Sequence, residues 1–384
     1  SDALVAFYGE RAVGTAKHYK AKNGKNLRYE RRDEVTKAGL DAARKIEWDK
    51  WKHFHAAYPV KGKQLQDLLD AGHKPLPLQW VDVDKNEHKR KPGGAYIAPA
   101  FKSRLVNRGD LENHDGVRSD SPTCDLAGLN LTLSWAASRG LRVKAGDITN
   151  AYFQGQPLYR LILLRPPKGG LPDDEIDADT MLVARVPIYG TCDAGRNFWK
   201  ALREAILELG FKENSLIRAW YHLCDDQGRI IAMLATHVDD MLWACEPEGQ
   251  DAINKLLAKF TLKSIEQDSF RFCGRDITQD PDCSIHVRRN GTLEKITPIN
   301  FSRGKRKPAD KATPSEAGQL RSVVGSLAWV ARQCRPDLSY AVSRLQSCCA
   351  LATVGDLQFA NKVLAESVAA GDRSLDFCAG TVDW

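Results

Sequence analysis

The sequence predicts an α+β protein of two or three lobes, and three observations carry that reading. Leu141, Val143 and Ala145 alternate along one side of a strand that ends at Asp147. Two apolar runs, residues 230–236 and 241–244, joined through His237-Val238-Asp239-Asp240, predict a buried hairpin with acids at its tip. Ile253, Leu256, Leu257 and Phe260 recur at helical spacing and predict an apolar helix face over 252–262.

The remaining elements follow in order. Residues 1–45 are charged, with few apolar repeats, and read as a solvated extension that becomes helical around Asp33 to Tyr58. A turn-rich segment with Pro75 and Pro77 runs from Leu65 to Val83, and Lys85, His88, Lys89, Arg90 and Lys91 then crowd an exposed basic loop between strands, broken by Pro-Gly-Gly. Residues 101–106 predict a strand with Lys102 and Arg104 on one face, because side chains two apart share a face of the pleat. Asp125 to Arg139 predicts an apolar helix, the following strand is expected to break at Gly146 to Asn150, and Trp199 to Leu209 predicts an amphipathic helix closed by Gly210. A Gly/Pro/Lys-rich linker over 303–314 opens a mainly helical segment, 316–370, interrupted at Arg335-Pro336-Asp337.

With 384 residues, of which 43% are hydrophobic, the chain can bury a sizeable core. The formal charge of +7 permits a polyanionic partner without requiring one. Ten cysteines occur without a CxxC pair or a His/Cys ligand spacing, which points to reduced thiols and no structural zinc. Short, interrupted apolar runs and the absence of a signal pattern predict an intracellular protein that does not enter a membrane. The earliest Met is Met181, so the natural product is expected to begin upstream as part of a longer chain.

Adjacent acids at a hairpin tip are electrostatically awkward. Unit charges 4 Å apart repel by roughly 4 kcal/mol at an effective dielectric near 20, so water or a cation must offset them. A solvated turn is the plain reading of an isolated Val-Asp-Asp. Asp147, ending a different strand, adds a third acid, and hard oxygen ligands from two strand ends suit Mg²⁺ or Mn²⁺ with substrate phosphates completing the shell. Paired ions of that kind serve in-line displacement at phosphorus.

Four runs in order, Lys102-Ser-Arg-Leu-Val-Asn-Arg-Gly109, Gly146-Asp-Ile-Thr-Asn-Ala-Tyr-Phe-Gln-Gly155, Ile188-Tyr-Gly-Thr-Cys-Asp-Ala-Gly-Arg-Asn-Phe-Trp199 and His237-Val-Asp-Asp240, resemble copia-type retrotransposon reverse transcriptases. Gln319 to Leu327 and Cys334 to Val342 are similar to the segment joining polymerase to RNase H in that family. The resemblance covers about residues 46–378 and implies a right-hand polymerase of fingers, palm and thumb followed by a mainly helical joining segment.

By the same resemblance, 46–262 would hold fingers, palm and the start of the thumb, and 263–384 the rest of the thumb and the joining segment, after a charged extension over 1–45. Asp147, Asp239 and Asp240 match the catalytic carboxylates, with Ile148 lending a backbone carbonyl to a metal. Tyr152 matches the residue that stacks under the incoming sugar and excludes a 2′ hydroxyl, and Lys102 and Arg104 the finger cations facing a triphosphate or template. The implied activity is RNA-directed DNA polymerisation with Mg²⁺ or Mn²⁺. Its partners would be an RNA or DNA template with primer, deoxynucleoside triphosphates and the remainder of a Pol polyprotein, in a cytoplasmic particle or the nucleus.

Some residues depart from the family pattern. His237 stands where an aromatic such as Tyr is usual, and Asp193 where Gln is common, with Arg196 as the expected partner of its added charge. The chain ends at Trp384, ahead of the carboxylates RNase H requires, so no RNase H activity is expected. The basic runs 85–91 and 303–307 could track a nucleic-acid backbone or simply be solvated, and the second could equally be a nuclear-import signal. Two other readings compete: a catalytically inactive retroelement remnant that still binds nucleic acid, and another palm-type metal enzyme such as a nucleotidyl transferase or cyclase.

Overall fold

A computed structural model describes residues 26–384 apart from 91, 92, 178, 290, 303, 372, 381, 383 and 384. Most of the expected charged extension therefore lies outside the described residues, as do Lys91 and Arg303 of the two basic runs.

In chain order the elements are α1 (Glu34–His53), β1 (Ala57–Val60), α2 (Gly62–Asp70), β2 (Leu76–Asp84), β3 (Phe101–Asn107), α3 (Leu126–Ser138) and β4 (Lys144–Ile148). Next come β5 (Leu163–Arg165), β6 (Met181–Ala184), α4 (Ala194–Glu208), β7 (Lys212–Glu213), β8 (Trp220–Cys224), β9 (Ile230–His237), β10 (Asp240–Cys245) and α5 (Gln250–Lys259). The chain continues through β11 (Leu262–Gln267), β12 (Ser269–Phe272), β13 (Arg275–Gln279), β14 (Ile285–Arg288), α6 (Pro314–Gln333), α7 (Ser339–Cys348), α8 (Val354–Ala369) and β15 (Leu375–Phe377). The class is α+β, as the sequence predicts. Two compact units divide the chain, the first built from residues up to 121 and 150–204, the second from 122–149 and 205–384.

The first unit is organised by a five-stranded sheet in the order β1-β6-β5-β2-β3, with β2 parallel to β5 and the other pairs antiparallel. Trp48, Trp51, Leu78, Leu105, Leu164 and Leu182 are among the buried residues of its core. α1 opens where Asp33 accepts from the Thr36 amide at 2.8 Å, which satisfies one of the unpaired donors of the first turn. Along β3, Ser103, Leu105 and Asn107 are buried and Lys102 and Arg104 take the other face, as the alternation predicts.

The second unit carries an antiparallel six-stranded sheet, β11-β4-β10-β9-β8-β7, and a four-stranded one, β12-β13-β14-β15. One continuous core joins them, with Leu133 and Trp135 from α3, Val143, Ala145, Leu242 and Ala244 from the large sheet, Ile277 and Val287 from the small one, and Leu320, Leu327 and Leu345 from the C-terminal helices. α6 and α8 start on capping boxes, Thr313 with Glu316 and Thr353 with Asp356, in which hydroxyl and carboxylate reciprocally satisfy helix-end amides.

Several expectations need correction. The turn-rich stretch from Leu65 to Val83 holds the end of α2 and most of β2. The strand expected to break at Gly146 runs on through Asp147 to Ile148, and the chain turns at Asn150, whose φ is +50°. The helix expected from Trp199 begins at Ala194, and the one over 252–262 stops at Lys259, leaving Phe260 as its C-cap and Leu262 as the first residue of a strand. The four-stranded sheet was not read from the sequence, although Phe270 and Phe272 bury on one side of β12 with period two. Among the described residues no helix is long and apolar enough to cross a membrane.

Candidate active site

The acids of the second unit are assembled by strand register. In the antiparallel pairing of β10, Asp240 faces Asp147 of β4 on one side and His237 of β9 on the other. Directly opposed residues share a face of the sheet, so the three form a row. The next row inward on that face is Ala145, Leu242 and Ala235, all core residues. The acids thus lie where the buried face runs out.

The hairpin is the two-residue kind, with Val238 and Asp239 between the strands. Val238 has φ +59°, a left-handed conformation costing a β-branched residue on the order of 1–3 kcal/mol, held here by the paired strands on either side. The Ile148 amide donates to the Asp239 carbonyl at 2.8 Å, tying the tip of the hairpin to the end of β4. The next amide, Thr149, donates to Thr261 at 2.8 Å and fixes the far side of β4.

Burial, and then the charges of Asp239 and Asp147, push the Asp240 carboxyl up to about 6. Lys263 works against that shift, and its Nζ lies 3.6 Å from Asp147 Oδ2. Nothing in its sequence context marked Lys263. The Cys273 thiol is pushed up to about 12, chiefly by burial and next by Asp240. Mutually repelling carboxylates drawn partly out of water are the hard oxygen donors that a small divalent cation neutralises. Asp147, Asp239 and Asp240 are donors of that chemistry, brought to one edge of the sheet by the register of β4 and β10.

The other expected site residues lie in the first unit. Burial, followed by Arg104, Lys85 and Lys50, lowers the Lys102 ammonium to about 8. The Arg104 guanidinium sits over the Tyr189 ring, 5.1 Å from its centroid, and Tyr152 meets the same ring edge-on at 5.0 Å. Tyr189 thereby joins two of the expected residues and was itself missed, because an aromatic beside Gly190 carries no chemical signature in a sequence. Its carbonyl accepts from the Asn107 amide at 2.7 Å, which locks it to the end of β3.

Asp193 is paired differently from the expectation. Its carboxylate receives Arg160 at 2.8 Å, while Arg196, in the first turn of α4, reaches Asp120 at 2.6 Å. Asp193 immediately precedes the helix and is buried, so the partner that comes close belongs to another segment of the unit.

The second unit thus gathers carboxylates at the margin of its large sheet, where two strands and a turn end together. Residues 65–298 match the model of the family described as reverse transcriptase (RNA-dependent DNA polymerase), and the chain belongs to that family. It is similar to the retrovirus-related Pol polyprotein from transposon RE2 of Arabidopsis thaliana, 28% identical over an alignment of 267 residues that covers 64% of this chain and 17% of that protein. The retrovirus-related Pol polyprotein from transposon RE1 of the same plant is 26% identical over an alignment of 280 residues that covers 69% of this chain and 19% of that protein. The chain thus spans under a fifth of the length of these relatives. Among solved structures, a foamy viral protease-reverse transcriptase in complex with double-stranded DNA gives a TM-score of 0.47 at 12% identity, over 85% of this chain and 48% of that one. The same kind of protein in complex with an RNA/DNA hybrid gives 0.38 at 13%, over 82% and 37%. The expected resemblance to transposon reverse transcriptases is borne out at the level of the family. Members of this family generally use divalent metal ions.

Proposed function

We propose that this chain is the polymerase region of a copia-type Pol polyprotein and extends a primer on an RNA template from deoxynucleoside triphosphates. The observation that carries the reading is the register of Asp240 opposite Asp147, with the Asp239 turn tied to Ile148. Asp147, Asp239 and Asp240, with the Ile148 carbonyl, would hold Mg²⁺ or Mn²⁺. When bound, the ions supply the charge that activates the primer 3′ hydroxyl and neutralises the leaving pyrophosphate.

The protein's own groups position and select. Lys102 and Arg104 present paired cations to the triphosphate, and Tyr152 lies under the incoming sugar, where a 2′ hydroxyl would collide with its ring. Tyr189 holds Arg104 and Tyr152 to one aromatic centre. Residues 46–262 form fingers, palm and the start of the thumb in this reading, and 263–384 the rest of the thumb and the joining segment. The site works in a cytoplasmic particle or the nucleus.

Primer extension on poly(rA)/oligo(dT) tests the proposal. The wild-type chain is expected to extend with Mg²⁺ or Mn²⁺, and Asp239→Asn to lose about 1,000-fold, equivalent to about 4 kcal/mol of transition-state stabilisation, with folding and primer-template binding retained. Equal extension by the variant overturns the metal-site assignment. A folded wild-type chain that binds primer-template and does not extend it identifies a non-catalytic remnant.

A further inference from the structure

We propose that Glu112, His114 and Cys192 form a second cation site, of the zinc type, in the first unit. One ligand atom from each, a carboxylate oxygen, an imidazole nitrogen and the thiol sulfur, lies within 4.8 Å of the other two. Ligands around tetrahedral Zn²⁺ are roughly 3.3–3.7 Å apart, given bonds of about 2.0–2.3 Å, so a closure near 1 Å completes the set, with water as the fourth ligand. Spacing along the chain gives no sign of it, because Glu112 and Cys192 are 80 residues apart.

Three independent observations support the site. The first is the backbone that presents it. A Cβ on Gly109 would lie 1.8 Å from the Gly190 carbonyl oxygen, and one on Gly190, whose φ is +95°, would lie 2.1 Å from that of Asn107. Only glycine permits the segments 107–114 and 189–193 to approach so closely. The Cys192 amide then donates to Glu112 Oε2 at 3.2 Å, holding the two donors in place.

The second is the tautomer of His114. Its Nε2 lies 2.8 Å from the Gly109 carbonyl, which can only accept, so Nε2 carries a proton and Nδ1 is the nitrogen left to take a metal when the ring is neutral. A backbone carbonyl receiving the second ring N–H is the usual support of a metal-binding histidine.

The third is charge. The Glu112 and Asp193 side chains are 4% and 1% exposed, and among the described residues both are paired with the single cation Arg160. Two buried carboxylates against one guanidinium leave a negative charge to be balanced. On binding, the Cys192 thiol releases its proton to solvent as the Sγ–metal bond forms, and a divalent ion then neutralises the two excess charges. The soft sulfur and imidazole donors select Zn²⁺ or Co²⁺ over the Mg²⁺ suited to the aspartates of the second unit.

Titration of the metal-free chain with Co²⁺, read by absorption, tests the site. Wild type is expected to show a near-ultraviolet thiolate-to-cobalt charge-transfer band that saturates at one equivalent, is removed by Zn²⁺ and persists in excess Mg²⁺. Cys192→Ser should abolish the band. His114→Ala, at an exposed position, should weaken Co²⁺ binding at least tenfold without disturbing the fold, and Asp239→Asn should leave the band unchanged. A folded wild-type chain without the band, or a band that survives in Cys192→Ser and so arises from another of the ten cysteines, overturns the proposal.

Discussion

Asp240 lies directly opposite Asp147 across the pairing of β10 with β4, one row beyond the buried Leu242 and Ala145. The fold holds two carboxylates together at the margin of its core, and the raised Asp240 carboxyl records the cost. That relationship gives a stability prediction. A carboxyl raised from 3.8 to about 6 favours its protonated form in the fold. Its unfavourable contribution is present above about pH 6 and disappears as pH falls below the ordinary carboxylate range. In EDTA, Asp240→Asn should therefore melt higher than wild type at neutral pH, and the difference should shrink to nothing in acid. A variant no more stable than wild type in neutral EDTA contradicts this.

Lys102 offers a second pH dependence. An ammonium lowered to about 8 loses its charge as pH rises through that value. If it grips the triphosphate, deoxynucleotide affinity should fall above about pH 8, by up to tenfold per unit, and Lys102→Arg should flatten the profile because guanidinium stays charged. Titrating nucleotide binding to the primer-template complex across that range measures it; a profile unchanged by Lys102→Arg removes Lys102 from the site.

Tyr189 should govern sugar discrimination without touching the sugar. Removing its ring in Tyr189→Leu takes one contact from both Tyr152 and Arg104, so incorporation of ribonucleotides relative to deoxynucleotides should rise several-fold, while Tyr189→Phe keeps the ring contact and the wild-type ratio. The readout is the ratio of kcat/KM values for the two nucleotides. An unchanged ratio in Tyr189→Leu would show that Tyr152 is held by other neighbours.

Arg160→Met leaves Asp193 and Glu112 buried without their cation, a loss of about 3–5 kcal/mol in urea unfolding. Adding Asp193→Asn to that variant should recover part of the loss, because one unpaired charge is then gone. Independent, additive effects would mean that the ion pair carries no coupling.

At the start of α6, Thr313→Ala removes the hydroxyl that accepts from the Glu316 amide and should cost about 1 kcal/mol, seen as a lower urea midpoint with unchanged slope. Glu316, held down to about 2 by Arg306 and the Thr313 amide, contributes stability above its ordinary range that is lost as pH falls toward that value. The effect of Thr313→Ala should accordingly narrow in strong acid.

What the sequence determined by itself was local or periodic, and not all of that. Alternation placed Lys102 and Arg104 on one face of β3, apolar runs around His237 to Asp240 gave the hairpin, and ordered motifs gave the family. Element ends were less legible: β4 continues past Gly146 because it is paired on both sides, by β10 and β11. Tertiary structure alone decided which distant residues meet. Register set Asp240 against Asp147, packing brought Tyr189 to Arg104 and Tyr152, and Arg160 rather than Arg196 reached Asp193. Glu112, His114 and Cys192 converge for the same reason. Strand pairing and close packing act between residues far apart in the chain, and periodicity records only which face each residue will bury.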